Sequence, residues 1–147
     1  MKRDRDDTDF RGIVESFNDR ETGCLFCDLQ SETDRKIESQ NDLCYAIRDG
    51  YAVTEHHTLI IPKRHVSGYF NLHQPEINAV HSLLHEMREQ IRCLDSSVTG
   101  FNVGINNGED AGQTIFHCHV HLIPRRKDDV ENPRGGIRGV IPDKRIY

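Results

Sequence analysis

The chain has 147 residues, of which 35% are hydrophobic and 29% are charged, and its formal net charge is −5. This length fits one domain with a core of its own. The acidic balance excludes a broad surface for nucleic acid or membrane, although it allows a local basic pocket for a small anion. No run approaches the roughly 18 apolar residues of a membrane span, and the start MKRDRDDTD is no signal peptide, so the sequence predicts a cytoplasmic protein.

The first segment, residues 1–20, is predicted to be flexible, because its start is charged and lacks periodicity. A short lead-in helix is expected around Ile13, Val14 and Phe17. The motif Cys24-Leu-Phe-Cys27 follows. In a reducing compartment such a pair indicates metal or redox chemistry before it indicates a disulfide.

Two short strands are predicted next, after a polar stretch (residues 30–42) that should run over the surface. Residues 43–48 are rich in strand-forming types, and so are residues 58–61. The turn signal Asp49-Gly50 lies between them. Pairing as an antiparallel hairpin would set Asp49 and His57 at opposite ends of the connection.

A long helix begins at Pro75, which suits a first helical turn, and extends to about Leu94. Its apolar stripe recurs at three- and four-residue steps and consists of Ile77, Val80, Leu84, Met87 and Ile91. A third strand is predicted at residues 101–105. Three or four antiparallel strands with one long helix across them indicate an α+β domain over residues 21–126. The tail, residues 127–147, is predicted to be extended and near the active site.

Three histidines stand at every second position, His117, His119 and His121. On an extended strand this spacing puts three imidazoles on one face, with Cys118 and Val120 among the apolar groups on the other. The row could be a metal site, a chance polar face or a phosphate-handling site.

The flanking segments favour phosphate. The preceding loop offers amides, hydroxyls and glycine backbone that cradle phosphate oxygens. These loop residues are Asn106, Asn107, Gly112, Gln113 and Thr114. The following Arg125-Arg126 would add fixed cationic forks. A largely neutral imidazole can then attack phosphorus through its free nitrogen.

These motifs resemble the histidine triad (HIT) superfamily. HCHVHLI is similar to the family signature, HHTLIIPKRHV to its upstream strand, GINNGEDAGQTIF to its phosphate loop, and CLFC to the metal-binding start of many bacterial members. Together they cover roughly residues 22–126. The run from GQT to PR resembles the dinucleoside polyphosphate hydrolase branch. The resemblance implies a HIT-like fold, an antiparallel meander sheet with one long helix packed across it, and a homodimer.

The resemblance also implies roles for individual residues. His119 would attack the α-phosphate and form a nucleotidyl-histidine intermediate, while His121 and His57 orient the site and move charge or protons around the leaving group. Asn106 and Thr114 would contact the phosphates, together with the loop residues Gly112 and Gln113. Asp49 would hold the ribose hydroxyls, or simply form a turn before Gly50.

The Cys24–Cys27 pair suits zinc, but a closed tetrahedral site requires two further ligands. His65 and His117 are the candidates, in the order that zinc-bearing relatives use. The alternatives are two buried free thiols or a redox pair. No Walker loop or carboxylate cluster for Mg²⁺ is visible, so Mg²⁺ is expected only with a polyphosphate substrate.

The resulting hypothesis is a hydrolase that cleaves dinucleoside polyphosphates, nucleoside phosphoramidates or related nucleotidyl conjugates and releases a nucleoside monophosphate. One alternative is a nucleotidyltransferase, although transferase branches typically carry glutamine where this chain has His121, which favours water as acceptor. The other alternative is a nucleotide-binding regulatory protein with incidental hydrolysis.

Overall fold

The computed structural model describes residues 17–147, which form an antiparallel sheet covered on one face by a long helix. The expectations for residues 1–16, including most of the predicted lead-in helix, fall outside this range. The elements in chain order are helix α1 (Leu25–Asp28), strands β1 (Ser39–Gln40), β2 (Cys44–Arg48) and β3 (Thr58–Pro62), helix α2 (Gln74–Leu94), and strands β4 (Val98–Gly104) and β5 (Val120–Arg126). Among the helices between residues 17 and 147, none combines the length and the hydropathy that a membrane span requires.

The strands lie in the spatial order β1-β2-β3-β5-β4, and every neighbouring pair is antiparallel. The predicted α+β class and the β2–β3 hairpin are therefore confirmed. Strand β1 was missed, because it lies in the polar run where Ser39 and Gln40 pair with β2. Strand β4 begins at Val98 rather than Phe101.

The two faces of the sheet are set by alternation along β2 and β3. Cys44, Ala46 and Ile60 face helix α2 and share a core with its buried side chains, which are Val80, Leu83, Met87 and Ile91. Two members of the predicted stripe differ, because Leu84 is only partly buried beside this core and Ile77 packs in another cluster. Tyr45 and its neighbours at alternate positions face the opposite side, where they pack with Phe26 of α1; this second cluster comprises Phe26, Leu29, Tyr45, Ile47, Leu59 and Ile61. The face opposite α2 is thus left for the histidines.

The histidine segment enters the sheet later than the sequence predicts, since β5 begins at Val120 and not at His117. The residues before Val120 are held by the chain that follows β3: the Cys118 backbone N–H donates to the Val66 carbonyl (2.7 Å). The alternation nevertheless continues, because Cys118, Val120 and Leu122 are all buried. The imidazoles of His119 and His121 lie side by side, with ring centroids 5.4 Å apart.

Helix α2 is tied to the loop before it by a buried ion pair. Glu76 in its first turn is fully buried, and Arg64 donates to both of its carboxylate oxygens at 2.8–3.2 Å. The same carboxylate accepts the backbone N–H of His73 at 2.9 Å, which satisfies one of the free donors at the helix start.

Replacing Arg64 with alanine is expected to lower the free energy of unfolding by about 3–5 kcal/mol, because Glu76 is left as a buried carboxylate without a cation. Urea denaturation measures this loss. The matched control is Arg88→Ala, which breaks an exposed pair with Glu89 (3.0 Å). Such a pair contributes about 0–1 kcal/mol. Equal losses in the two variants would contradict the expectation.

The tail after β5 folds back over the histidine face of the sheet. It contains two 3-10 segments, Gly136–Val140 and Pro142–Lys144, rather than a continuous extended chain. The first of them packs against β4, with Ile137 next to Gly104.

Candidate active site and metal centre

The ends of the β2–β3 connection bring Asp49 and His57 together. The Asp49 backbone N–H donates to the His57 carbonyl at 2.9 Å. One Asp49 carboxylate oxygen accepts the Tyr51 backbone N–H at 2.8 Å, which is the turn geometry of an Asp before glycine. The other oxygen lies 3.4 Å from His57 Nε2. Asp49 therefore forms the turn and also faces the histidines.

His57 and His121 form a hydrogen-bonded pair whose proton positions follow from their neighbours. The Val53 backbone N–H, which can only donate, lies 3.1 Å from His57 Nδ1, so His57 carries its proton on Nε2. That N–H donates to His121 Nδ1 at 2.9 Å. His121 then carries its own proton on Nε2.

His119 is oriented by the backbone of His117. Its Nδ1 lies 2.8 Å from the His117 carbonyl, which can only accept, so Nδ1 carries the proton. The lone pair is then on Nε2, the nitrogen that could act as a nucleophile. The ring is held from the side by Phe26, with centroids 5.0 Å apart.

Burial keeps this histidine pair neutral. It lowers the pKa of His121 to about 4, and the neighbouring His119 and His57 add to this shift, while Asp49 opposes it. Burial also lowers the pKa of His57, again with Asp49 acting in the opposite direction. Both rings are therefore uncharged at neutral pH, and their hydrogen bonds fix His121 Nε2–H as a donor that faces the site.

The depressed pKa of His121 predicts a stability that falls in acid. In the unfolded chain the imidazole titrates near 6.5, and in the folded chain near 4, so the unfolded chain binds the proton first. The contribution is fully present above pH 6.5 and is lost as the pH falls towards 4, by up to about 3 kcal/mol.

Urea denaturation of the wild type and His121→Asn, each between pH 7.5 and 4 at a fixed zinc concentration, isolates this one group. The wild type is expected to lose more stability than the variant over that range. If the free energy of unfolding changed with pH in the same way in both proteins, this expectation would be contradicted.

A cavity of about 270 Å³ opens beside His119 and His121 on the β2–β3 side. Of the predicted substrate-binding residues, it is lined by Asp49, Asn106, Gly112 and Thr114. Its apolar wall comes from α1 and the strands and consists of Leu25, Phe26, Leu29, Ile47, Leu59 and Ile115. An apolar slot with a few polar groups at one end suits a nucleoside with its phosphate towards the histidines.

Gln113 does not line this cavity. Its carboxamide oxygen accepts the Gly108 backbone N–H at 2.8 Å, and its nitrogen donates to the carbonyls of Ser67 (2.7 Å) and Ile115 (3.1 Å). Both amide hydrogens are thus used within the loop. Gln113 shapes the phosphate loop from inside, next to Gly112, whose φ of 93° lies in the left-handed region.

The sequence predicted that Arg125 and Arg126 bind phosphate, and this prediction is wrong, because both guanidinium groups are already paired with carboxylates. Arg125 donates to both carboxylate oxygens of Asp129 at 2.8 and 2.9 Å. Arg126 donates to Asp95 at 2.8 and 3.1 Å. Instead, Arg35 lines the cavity, anchored through a 2.8 Å bond to the Arg48 carbonyl. Nothing in the sequence singles out Arg35, because it lies in the polar stretch before β1.

The four predicted metal ligands meet in one place. Cys24, Cys27, His65 and His117 offer ligand atoms that all lie within 4.8 Å of one another. His117 Nδ1 is 3.4 Å from Cys24 Sγ and 3.5 Å from Cys27 Sγ, and His65 Nδ1 is 3.4 Å from Cys27 Sγ. A tetrahedral zinc ion with ordinary bond lengths separates sulfur and nitrogen ligands by about 3.5 Å.

The Nε2 atoms of His117 and His65 also have the hydrogen-bond partners that are expected at a metal centre. His117 Nε2 donates to the Pro62 carbonyl at 2.7 Å, and His65 Nε2 lies 2.5 Å from a Glu21 carboxylate oxygen. These hydrogen bonds leave both Nδ1 lone pairs directed at the sulfurs. Histidines that bind a metal commonly donate their other ring N–H to a carbonyl or carboxylate in the same way. Burial lowers the pKa of His117 to about 4 and raises the pKa of the Cys27 thiol, so a cation is needed to hold thiolate there. The residues present therefore fit a zinc ion.

Comparison with known proteins identifies the family. The HIT domain model matches residues 30–128, and the chain belongs to the HIT family. A HIT-like protein of Mycoplasma genitalium is 34% identical over 106 residues, which are 71% of this chain and 74% of that protein.

Two relatives carry named activities. An adenylylsulfatase of Arabidopsis thaliana is 33% identical over 126 residues, 80% of this chain and 59% of the relative. An asymmetrical bis(5'-nucleosyl)-tetraphosphatase of Schizosaccharomyces pombe is 38% identical over 73 residues, 50% of this chain and 40% of the relative. The match therefore leaves out much of both relatives.

Solved structures agree with the fold. A Zn-bound histidine triad family protein from Mycobacterium smegmatis superposes with a TM-score of 0.68 at 27% identity, covering 75% of this chain and 80% of the other. A HIT family protein from Bacillus anthracis gives a TM-score of 0.66 at 35% identity, covering 74% and 77%. The predicted HIT-like fold is confirmed.

Proposed function

We propose that this protein hydrolyses dinucleoside polyphosphates or related nucleotidyl conjugates at the α-phosphate and releases a nucleoside monophosphate. The observation that carries the proposal is His119, whose Nδ1–H is bound to the His117 carbonyl at 2.8 Å so that Nε2 keeps its lone pair beside the cavity. Family membership supports a nucleotide hydrolase or transferase function in general. The named activities of the two relatives point to nucleotide substrates.

In the first step, His119 Nε2 attacks the α-phosphorus, a P–N bond forms and the P–O bond to the leaving group breaks. The leaving oxygen departs with the electron pair of that bond as a phosphate anion, and it accepts a hydrogen bond from His121 Nε2–H. The neutral pair His57–His121 is suited to this role, because its hydrogen bond of 2.9 Å fixes His121 with that N–H outward.

In the second step, the oxygen of a water molecule attacks the same phosphorus, and the proton that this water loses passes to solvent. The P–N bond breaks, and its electron pair returns to His119 Nε2. Both histidines are then in their starting forms, and the nucleoside monophosphate leaves the cavity. Dividing the displacement between two steps lowers each barrier.

The cavity residues bind and orient the substrate. Thr114, Asn106 and the backbone at Gly112 would donate to the non-bridging oxygens, where charge builds up during attack. The Asp49 carboxylate oxygen that faces the site would accept ribose hydroxyls, and the apolar wall would take the base.

Zinc would be held by Cys24, Cys27, His65 and His117, and Mg²⁺ would enter only with the polyphosphate. Bound zinc would supply a structural cross-link between these segments, away from the reacting phosphorus. Since His117 contributes its side chain to the metal and its carbonyl to His119, the metal would hold the nucleophile in place.

The test is to incubate the purified protein with diadenosine tetraphosphate and, separately, with adenosine phosphoramidate, and to follow AMP release. Turnover of at least one substrate is expected. Turnover of neither would overturn the hydrolase proposal, and nucleotide binding without turnover would favour a regulatory protein. Adding phosphate or a sugar phosphate distinguishes a transferase from a hydrolase, because a transferase would release the nucleotide only by transferring AMP to such an acceptor.

A further inference from the structure

A second cavity, of about 500 Å³, lies on the histidine face over β5 and β4. Its floor includes Ile123 and Asn102 of these strands, and its roof is formed by Ile137 and Val140 of the tail. The first cavity opens over β2 and β3, so His121 on β5 stands between the two.

This second cavity is lined by residues that neighbour the histidine pair, although neither His57 nor His121 lines it. Val53, which lines it, is the residue whose backbone N–H binds His57 Nδ1 at 3.1 Å. Ile123 follows His121 on the same face of β5. Gly104 pairs with His121 in the sheet, and a Cβ on Gly104 would lie only 3.2 Å from Ile137 Cδ1. The tail thus reaches the strand position beside the histidine that faces the leaving group.

The roof is fixed in place by the end of the chain. The Arg145 guanidinium donates to the carbonyls of Asn132 (2.6 Å) and Arg134 (2.7 Å). The backbone passes so close at Gly135 that a Cβ there would overlap the Arg145 carbonyl. Although the roof is ordered, Ile137 is 58% exposed and Val140 is 74% exposed. Two apolar side chains held open to water beside a catalytic pair indicate a surface that a ligand covers.

We propose that this cavity binds the second nucleoside of a dinucleoside polyphosphate, that is, the base and ribose of the leaving half. The inference rests on the proposed function. A leaving group displaced from phosphorus departs on the side away from His119 Nε2. His121, whose Nε2–H would bind the leaving oxygen, lines the first cavity, and the second cavity begins two residues further along the same strand, at Ile123. A dinucleoside substrate has two bases, and the sheet face offers one apolar slot on each side of His121.

The walls of the cavity match a nucleobase chemically. Ile123, Ile137 and Val140 supply apolar contact for a flat ring. Asn102 adds a donor: its Oδ1 accepts from Arg125 at 2.7 Å, which leaves its amide N–H groups for an acceptor of the base or ribose. A substrate with one nucleoside would leave this surface unused.

The test compares Ile137→Ser and Val140→Ser with Ile141→Ser. Ile141 has the same tail setting and nearly the same exposure, 59% against 58%, but it does not line the cavity. The readout is the ratio of kcat/KM for diadenosine tetraphosphate to kcat/KM for adenosine phosphoramidate. The two cavity variants are expected to lower this ratio by about tenfold through KM, because apolar contact with the second base is lost. Ile141→Ser should leave the ratio unchanged.

A binding measurement separates the subsite from the chemistry. Calorimetric titration of His119→Ala should show tighter binding of diadenosine tetraphosphate than of ATP, and adding Ile137→Ser should remove the difference. If the wild type hydrolyses neither substrate, the proposed function fails. If it hydrolyses diadenosine tetraphosphate but all three tail variants keep the wild-type ratio, the subsite alone is overturned.

Discussion

Alanine in place of His119 is expected to abolish AMP release from diadenosine tetraphosphate, with kcat falling on the order of 10⁴-fold or more. The loss is this large because no other described side chain presents a free imidazole nitrogen in the same position. His121 Nδ1 already accepts from His57 at 2.9 Å, and His117 Nδ1 faces the two cysteine sulfurs. Neither ring can take over the attack. The measurement is single-turnover AMP release at saturating enzyme.

The controls separate chemistry from folding. Nucleotide binding by His119→Ala should remain, since the cavity walls come from α1, β2 and β3. His81→Ala changes an exposed histidine on helix α2 and should keep wild-type kcat. A residual rate within tenfold of wild type in His119→Ala would mean that another group is the nucleophile.

Removing the metal is expected to lower the midpoint of thermal unfolding by about 10 °C or more, because the structural cross-link between α1, the segment after β3 and the histidine segment is lost. The ligands come from residues far apart in sequence, Cys24 and Cys27, His65 and His117. Without a cation the buried Cys27 thiol and the His117 imidazole stay neutral and are packed at 3.5 Å with little attraction. Calorimetry before and after chelation gives the shift, and elemental analysis gives the zinc content.

Cys27→Ser and Cys93→Ser form a matched pair for this test. Both remove one thiol, but Cys27 is a ligand candidate and Cys93 is exposed on α2. Cys27→Ser should not retain zinc, and its midpoint of thermal unfolding should fall by as much as chelation lowers that of the wild type. Cys93→Ser should keep one zinc per chain. Protein purified without a chelator that contains no equimolar zinc would refute the metal centre.

The parts of the fold that follow from periodicity could be predicted. The stripe of α2 and the alternation from Cys118 to Leu122 each reflect a local rule, since burial on one side repeats with the geometry of the element. The β2–β3 hairpin followed from its turn signal, which placed Asp49 and His57 at the two ends of the connection, and the structure shows that they lie in contact there.

Features that depend on which polar groups pair in the folded chain could not be predicted. Arg125 and Arg126 were expected to bind phosphate, but Asp129 and Asp95 neutralise them, and sequence alone does not show which carboxylate reaches a given guanidinium. Gln113 was expected among the phosphate donors, yet its amide is used inside the loop. Arg35 enters the cavity only through the path of the chain before β1.

His117 has two separate tasks, because its imidazole faces the metal centre and its backbone carbonyl accepts the proton of His119 Nδ1 at 2.8 Å. Every amino acid carries that carbonyl, so no substitution at position 117 removes the group that sets the tautomer of His119. Only movement of the main chain can break this hydrogen bond. A metal held by Cys24, Cys27, His65 and His117 would therefore act on His119 only by fixing this stretch of backbone, and any packing that fixes it equally well would keep His119 Nε2 directed at the cavity without a metal.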